Sequence, residues 1–165
     1  MLGVLGASEA LGDHLARHPG DWHALVTYEA ADLHPSTPEF EKALADGVRG
    51  ERGAGLAPAD ALRAAYRRAL LTIAARDVCG TTDVAHTASE LADLATATLR
   101  AALEIAAQEQ PADAAACRLA VVAMGKCGGR ELNYVSDVDV VFVAESRGTT
   151  PRAPPSRPPH GWRHG

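Results

Sequence analysis

The sequence predicts an α+β fold, a helical N-terminal region followed by a small pair of strands around a glycine turn. Three observations predict it. From Ser8 to Gln108 apolar residues recur at helical spacing in alanine-rich segments separated by Pro and Gly. Beyond Cys117 the pattern changes to two short apolar runs, Leu119–Met124 and Val138–Val143, on either side of a glycine-rich turn. From residue 146 the chain is rich in proline and arginine and carries no acid, a composition that fills neither a sheet interior nor a helix. The predicted organisation is therefore a helical region over 1–110, a core over 117–145 and a disordered tail over 146–165.

The elements follow in order. Ser8 is placed to cap a helix carrying Leu11 and Leu15 on one face, which ends at Pro19-Gly20. Asp21 is expected to cap the next turn, with Trp22, Leu25 and Val26 as its apolar side. His14 and His18 stand four apart and could share a metal, but no H-E-x-x-H pattern accompanies them, and a surface pair is the preferred reading. Thr37-Pro38 reads as an N-cap and first helical residue, with Phe40, Leu44 and Val48 recurring every four positions. The glycines of Gly47–Gly55 are expected to break that helix into a loop. Pro58–Val78 reads as the next helix, striped by Leu62, Tyr66, Ala69, Leu70 and Ile73 and stopped by Gly80. Its basic residues Arg63, Arg67, Arg68 and Arg76 read as a solvated face. Thr87-Ala88-Ser89-Glu90 fits a capping box opening a helix that runs to Gln108, and Gln110–Asp113 leads out of it.

The chemistry is concentrated between the two apolar runs. Gly125, Gly128 and Gly129 let the backbone turn tightly, and such a turn can aim N–H groups at phosphate. Lys126 stands among them. The second run opens with Asp137 and Asp139, which in a strand project from one side, while Val138, Val140 and Phe142 take the other and are expected to be buried. Two carboxylates held this close call for a cation, and Mg²⁺ takes one or two carboxylates and completes its shell with water and phosphate oxygens. Asp137 and Asp139 are thus the predicted catalytic and metal-binding pair. Gly125, Lys126, Gly128, Gly129 and Ser136 are the predicted nucleotide- and phosphate-binding set, Ser136 supporting the turn or an aspartate, because no histidine is placed to activate it as a nucleophile.

Composition excludes several classes. A net charge of −5 gives no electrostatic case for nucleic-acid binding. No apolar run is long enough for a membrane helix and the N-terminus lacks a signal-peptide pattern, so a cytoplasmic location is expected. Three cysteines without paired C-x-x-C spacing support neither a disulfide framework nor a zinc knuckle. G-x-x-G-G is not the G-x-G-x-x-G of a dinucleotide site. A P-loop would need glycine and Ser/Thr where Ala120 and Cys127 stand.

The string MGKCGGRELNYVSDVDVVF, Met124 to Phe142, closely resembles the signature of the glutamine synthetase adenylyltransferase/deadenylylase family, a branch of the polymerase-β-like nucleotidyltransferases. The lead-in LGASEALGDHLARHPGDW resembles the helical region before that family's first catalytic domain, so the likeness covers roughly Leu2 to Glu145. It implies a truncated polymerase-β-like core, with Asp137 and Asp139 at the family's metal-binding aspartates. It also implies regulation of glutamine synthetase by adenylylation and deadenylylation, with Mg²⁺, ATP or ADP, and phosphate. In the full-length form, a nitrogen-signalling regulatory protein joins the partners. The form ELNYVSDVDVVF resembles the adenylyl-removing half, which attacks AMP-tyrosine with phosphate to give ADP. Such sites use a third carboxylate from a later strand, and nothing after Glu145 offers one. The tail is accordingly read as cut short or out of frame, and the chain alone as inactive. The competing reading is a non-catalytic remnant that binds a partner through its helices and Pro-rich tail.

Overall fold

A computed structural model describes Gly3, Gly6 and residues 8–26 and 34–148. Helix α1, Glu9–Arg17, starts where expected, because the Ser8 hydroxyl accepts the Leu11 N–H. A 3₁₀ turn, Pro19–Asp21, leads into α2, Trp22–Val26. Asp21 does not act as a cap. It is buried, and its two oxygens accept from His14 Nε2 and Arg68 Nε at 2.7 and 2.6 Å. The histidine pair likewise has another use: His14 and His18 stack at 4.7 Å, and His14 is committed to Asp21.

Three long helices form the platform for the rest: α3 (Thr37–Gly53), α4 (Pro58–Val78) and α5 (Val84–Glu109). Their common core gathers Phe40, Leu44, Leu62, Ile73, Leu91 and Leu94. A smaller cluster of Leu11, Leu25, Leu71, Ala74 and Ala75 fastens α1 and α2 to α4. Helix α4 has the bounds that its sequence predicts, and Gly80 beyond it takes a φ of +70°.

Several expected boundaries move, each for a local reason. The cap of α3 is Ser36, not Thr37, in a reciprocal box with Glu39. The helix runs on through Gly47 and Gly50 to Gly53 instead of breaking into a loop. A Cβ at Gly47 would stand 2.8 Å from that of Ala65, so α3 and α4 approach closely at this glycine. Burial of the adjoining apolar face outweighs the helix cost of about 1 kcal/mol per glycine. Helix α5 starts at Val84, capped by Asp83, whose carboxylate accepts the His86 N–H. The predicted box at Thr87 and Glu90 does not form, because both are buried inside the helix and Glu90 pairs with Arg76. Arg63 and Arg67 lie on a solvated face as expected, but Arg76 is buried, and Arg68 bridges Asp21 and Glu51.

A further short helix, α6 (Pro111–Ala116), occupies the expected lead-out and delivers the chain into β1, Cys117–Ala123. The turn after β1 is helical, α7 (Gly125–Gly128), and the return strand β2 covers Val140–Ser146. The strands pair antiparallel from Cys117 opposite Ser146 to Ala123 opposite Val140. The prediction of buried strands fails here. Phe142 is 64% exposed, and Leu119, Val141 and Val143 also face solvent, because among the described residues no layer covers the two-stranded sheet. Of the tail predicted over 146–165, Ser146 closes β2 and residues 149–165 lie outside the described residues. Among the described helices, none is long and apolar enough to cross a membrane.

Candidate active site

Glycine shapes the turn at two points. Gly125 has a φ of +53°, and a Cβ there would stand 2.9 Å from Oδ2 of Asp139. Only glycine combines that backbone with room for the carboxylate. The Met124 N–H donates to the Asp139 carbonyl at 2.8 Å, which extends the ladder one residue past the strand and holds Asp139 beside the turn. At Gly128 a Cβ would meet the Ala123 carbonyl at 2.6 Å, so α7 folds back hard against the end of β1.

The N–H groups of Gly128 and Gly129 donate to the carbonyls of Met124 and Gly125, each at 2.9 Å. Those two amides close the helical turn. Lys126 is exposed, and its carbonyl accepts the Glu131 N–H. Ser136 donates to the Asn133 side-chain oxygen, a bond within the loop. Asp137 and Asp139 are both exposed and precede β2, so strand alternation does not fix their common face, contrary to the prediction.

What fixes them is the docking of residues 126–134 onto the platform, which sequence reasoning missed. Cys127 and Leu132 are buried in the main core, and burial pushes the Cys127 thiol pKa up, which suits an anchor better than a nucleophile. Arg130 forms a two-pronged pair with Asp93, each bond 2.7 Å, and also reaches Ser89. Asp93 in turn accepts the Thr37 hydroxyl at 2.9 Å, so α3, α5 and the loop meet at one carboxylate. Burial and the neighbouring Asp77 carboxylate of α4 raise the pKa of the Tyr134 phenol. Arg76, beside this contact, pairs with Glu90, which also bonds His34 at 2.6 Å. The spacing of Arg130, Leu132 and Tyr134 is the period-two signal that could have revealed this docking.

A groove of about 720 Å³ opens between α4, α5 and the loop, with Leu62, Tyr66 and Ile105 on one side and Tyr134, Ser136 and Val138 on the other. Neither aspartate lines it. The structure thus brings Asp139 to Gly125 and sends Ser136 to the other side of the chain. Among the described residues no group of three or more His, Cys, Asp or Glu side chains is arranged to hold a metal. Two exposed carboxylates next to a glycine turn are a hard-oxygen donor set that suits Mg²⁺, provided phosphate or water fills the other positions.

Comparison with known proteins is specific. The sequence profile of the family described as glutamate-ammonia ligase adenylyltransferase matches residues 1–157. A bifunctional glutamine synthetase adenylyltransferase/adenylyl-removing enzyme of Streptomyces avermitilis is 70% identical over 145 residues, 88% of this chain and 14% of that protein. The enzyme of the same name from Streptomyces coelicolor is 65% identical over 153 residues, 93% of this chain and 14% of that protein. One from Mycobacterium tuberculosis is 42% identical over 151 residues, 88% and 15% of the two chains. The chain therefore spans about one seventh of the length of these relatives.

Proposed function

Given that the chain belongs to the glutamate-ammonia ligase adenylyltransferase family, we propose that it supplies the metal-holding turn of the adenylyl-removing activity that regulates glutamine synthetase. The observation that carries this reading is the Asp139 carboxylate lodged against Gly125, with Asp137 two residues away, within a stretch matched by the family profile. In the proposed reaction an oxygen of inorganic phosphate attacks the phosphorus of a tyrosine-linked AMP. The bond from phosphorus to the tyrosine oxygen breaks, ADP forms, and the tyrosine recovers its proton.

Asp137 and Asp139 would hold Mg²⁺, which when bound offsets phosphate charge during in-line transfer. Lys126 adds a positive charge at the turn, where the phosphates are proposed to sit. Gly125 keeps the approach to Asp139 clear, and Ser136 and Asn133 stiffen the loop that carries the pair. Two carboxylates leave the donor set short of the third that polymerase-β-like sites use, so the chain by itself is proposed to be inactive, in a cytoplasmic setting with glutamine synthetase as protein substrate.

Calorimetric titration of ADP in the presence and absence of Mg²⁺ tests the reading. Mg²⁺-dependent binding is expected, lost in Asp137→Asn and Asp139→Asn and weakened in Gly125→Ala, whose methyl group would displace the Asp139 carboxylate. Binding that ignores both Mg²⁺ and the aspartates would leave only the partner-binding alternative. Phosphate-dependent ADP release from adenylylated glutamine synthetase by this chain would overturn the claim of inactivity.

A further inference from the structure

The segment from Arg130 to Asp139 forms neither strand nor helix and turns at residues 134–135, so its course to the glycine turn must be held by side chains. Arg130 and Leu132 engage the helical platform through Asp93 and the main core, and Tyr134 lies beside Asp77. Asn133, Tyr134, Ser136 and Val138 line the groove between α4 and α5. Glu131, Val135, Asp137 and Asp139 are exposed and do not line it, and the Asp139 carboxylate rests against Gly125.

Something must set its orientation. Leu132, between Glu131 and Asn133, anchors the segment at one point by burial but does not orient the residues that follow. A bidentate guanidinium–carboxylate pair is specific in both position and orientation. Arg130 meets that requirement and lies at the start of the segment with a φ of +59°, the only described residue other than glycine in the left-handed region. A side chain held in that conformation needs its surroundings to enforce it. Asp93 is the means. It is buried, braced by the Thr37 hydroxyl, and accepts both prongs of the guanidinium.

We infer that Arg130, locked to Asp93, is a positioning residue that fixes the course of residues 130–139 and so directs Asp137 and Asp139 to the glycine turn. The inference rests on the proposed metal role of the two aspartates, but its structural half stands apart from that role. Arg130→Gly is the informative variant, since glycine accepts the backbone conformation and removes only the side chain. Arg130→Lys keeps the charge without the fork, and Asp93→Asn breaks the pair from the helix side.

Two measurements on the whole chain separate the arms. Hydrogen exchange reads the loop directly: Arg130→Gly should lose protection at the amides of Met124 and Gly128–Glu131 while α3, α4 and α5 keep theirs. Unchanged protection of those amides would overturn the positioning role, and so would equal loss across the helices, which would make the pair a general prop. Mg²⁺ titration reads the consequence: affinity should fall about tenfold or more in Arg130→Gly, with only partial recovery in Arg130→Lys, as for supports behind metal ligands. Wild-type affinity in Arg130→Gly would overturn the link to the aspartates. If the wild-type chain binds no Mg²⁺ and Asp139→Asn changes nothing, the metal reading fails, and the exchange result still decides the positioning role.

Discussion

Single side chains in this protein repeatedly take on work that their sequence context disguises. His14 reads as half of a surface pair, yet it is almost fully buried, with Nε2 on Asp21 and, among the described residues, no partner for Nδ1. Burial holds its pKa below 6.5 in spite of the bond to Asp21, and His18 and Arg67 add repulsion. The sign of the pH effect follows. The unfolded chain takes up this proton near pH 6.5 and the folded chain resists it, so the stability contribution is complete above pH 6.5. It falls as the pH drops from there through the depressed folded value, and then levels off. Urea midpoints measured across that range should decline in the wild type and decline less in His14→Gln; parallel curves would remove His14 as the source. Of the residues around this cluster, only the Ser8 cap was legible in advance, because capping depends on three neighbouring residues. Asp21 and Arg68 are 47 positions apart, and no local pattern joins them.

Helices were legible where the apolar period was long, and misread where an acid or a glycine carried two meanings. Pro58–Val78 has both its stripe and its stop signal in the sequence. Thr87 to Glu90 has the form of a cap, but a glutamate can equally serve a buried arginine, and only the fold decides between them. Gly47 and Gly50 present the same ambiguity within one helix, and substitution separates them. Alanine at Gly50 meets nothing within 4 Å, so Gly50→Ala should stabilise by about 0.5–1 kcal/mol through backbone entropy. Alanine at Gly47 gains the same propensity but places its methyl 2.8 Å from the Ala65 Cβ. Pushing α3 off α4 costs about 1–3 kcal/mol by overpacking, so Gly47→Ala should come out destabilised. Denaturant midpoints of the two variants should move in opposite directions. A shift of the same sign in both would show that α3 and α4 have slack at their crossing.

Across the whole molecule the helical platform and the sheet differ in how well they are supported. Both core clusters lie among the helices, and the loop reaches the main one through Cys127 and Leu132, whereas no β2 residue belongs to either. The alternation of a half-buried strand is missing from Val140–Phe142–Ala144, and the run of β-branched residues made both strands read as interior. Such a run records that a strand is apolar on both faces, not what lies over those faces. Here Phe142 and Val143 are 64% and 53% exposed, and a two-stranded antiparallel sheet is marginal in water without a covering layer. The open faces and edges therefore favour association between copies of the chain. Sedimentation velocity should show the weight-average mass rising with concentration, and Phe142→Thr should suppress the rise. Because Phe142 touches neither core cluster, its replacement should move the unfolding midpoint of the helices by no more than about 0.5 kcal/mol. A monomer at every concentration, or a Phe142→Thr variant that unfolds with its helices, would mean that the sheet faces are covered by parts of the chain beyond the described residues.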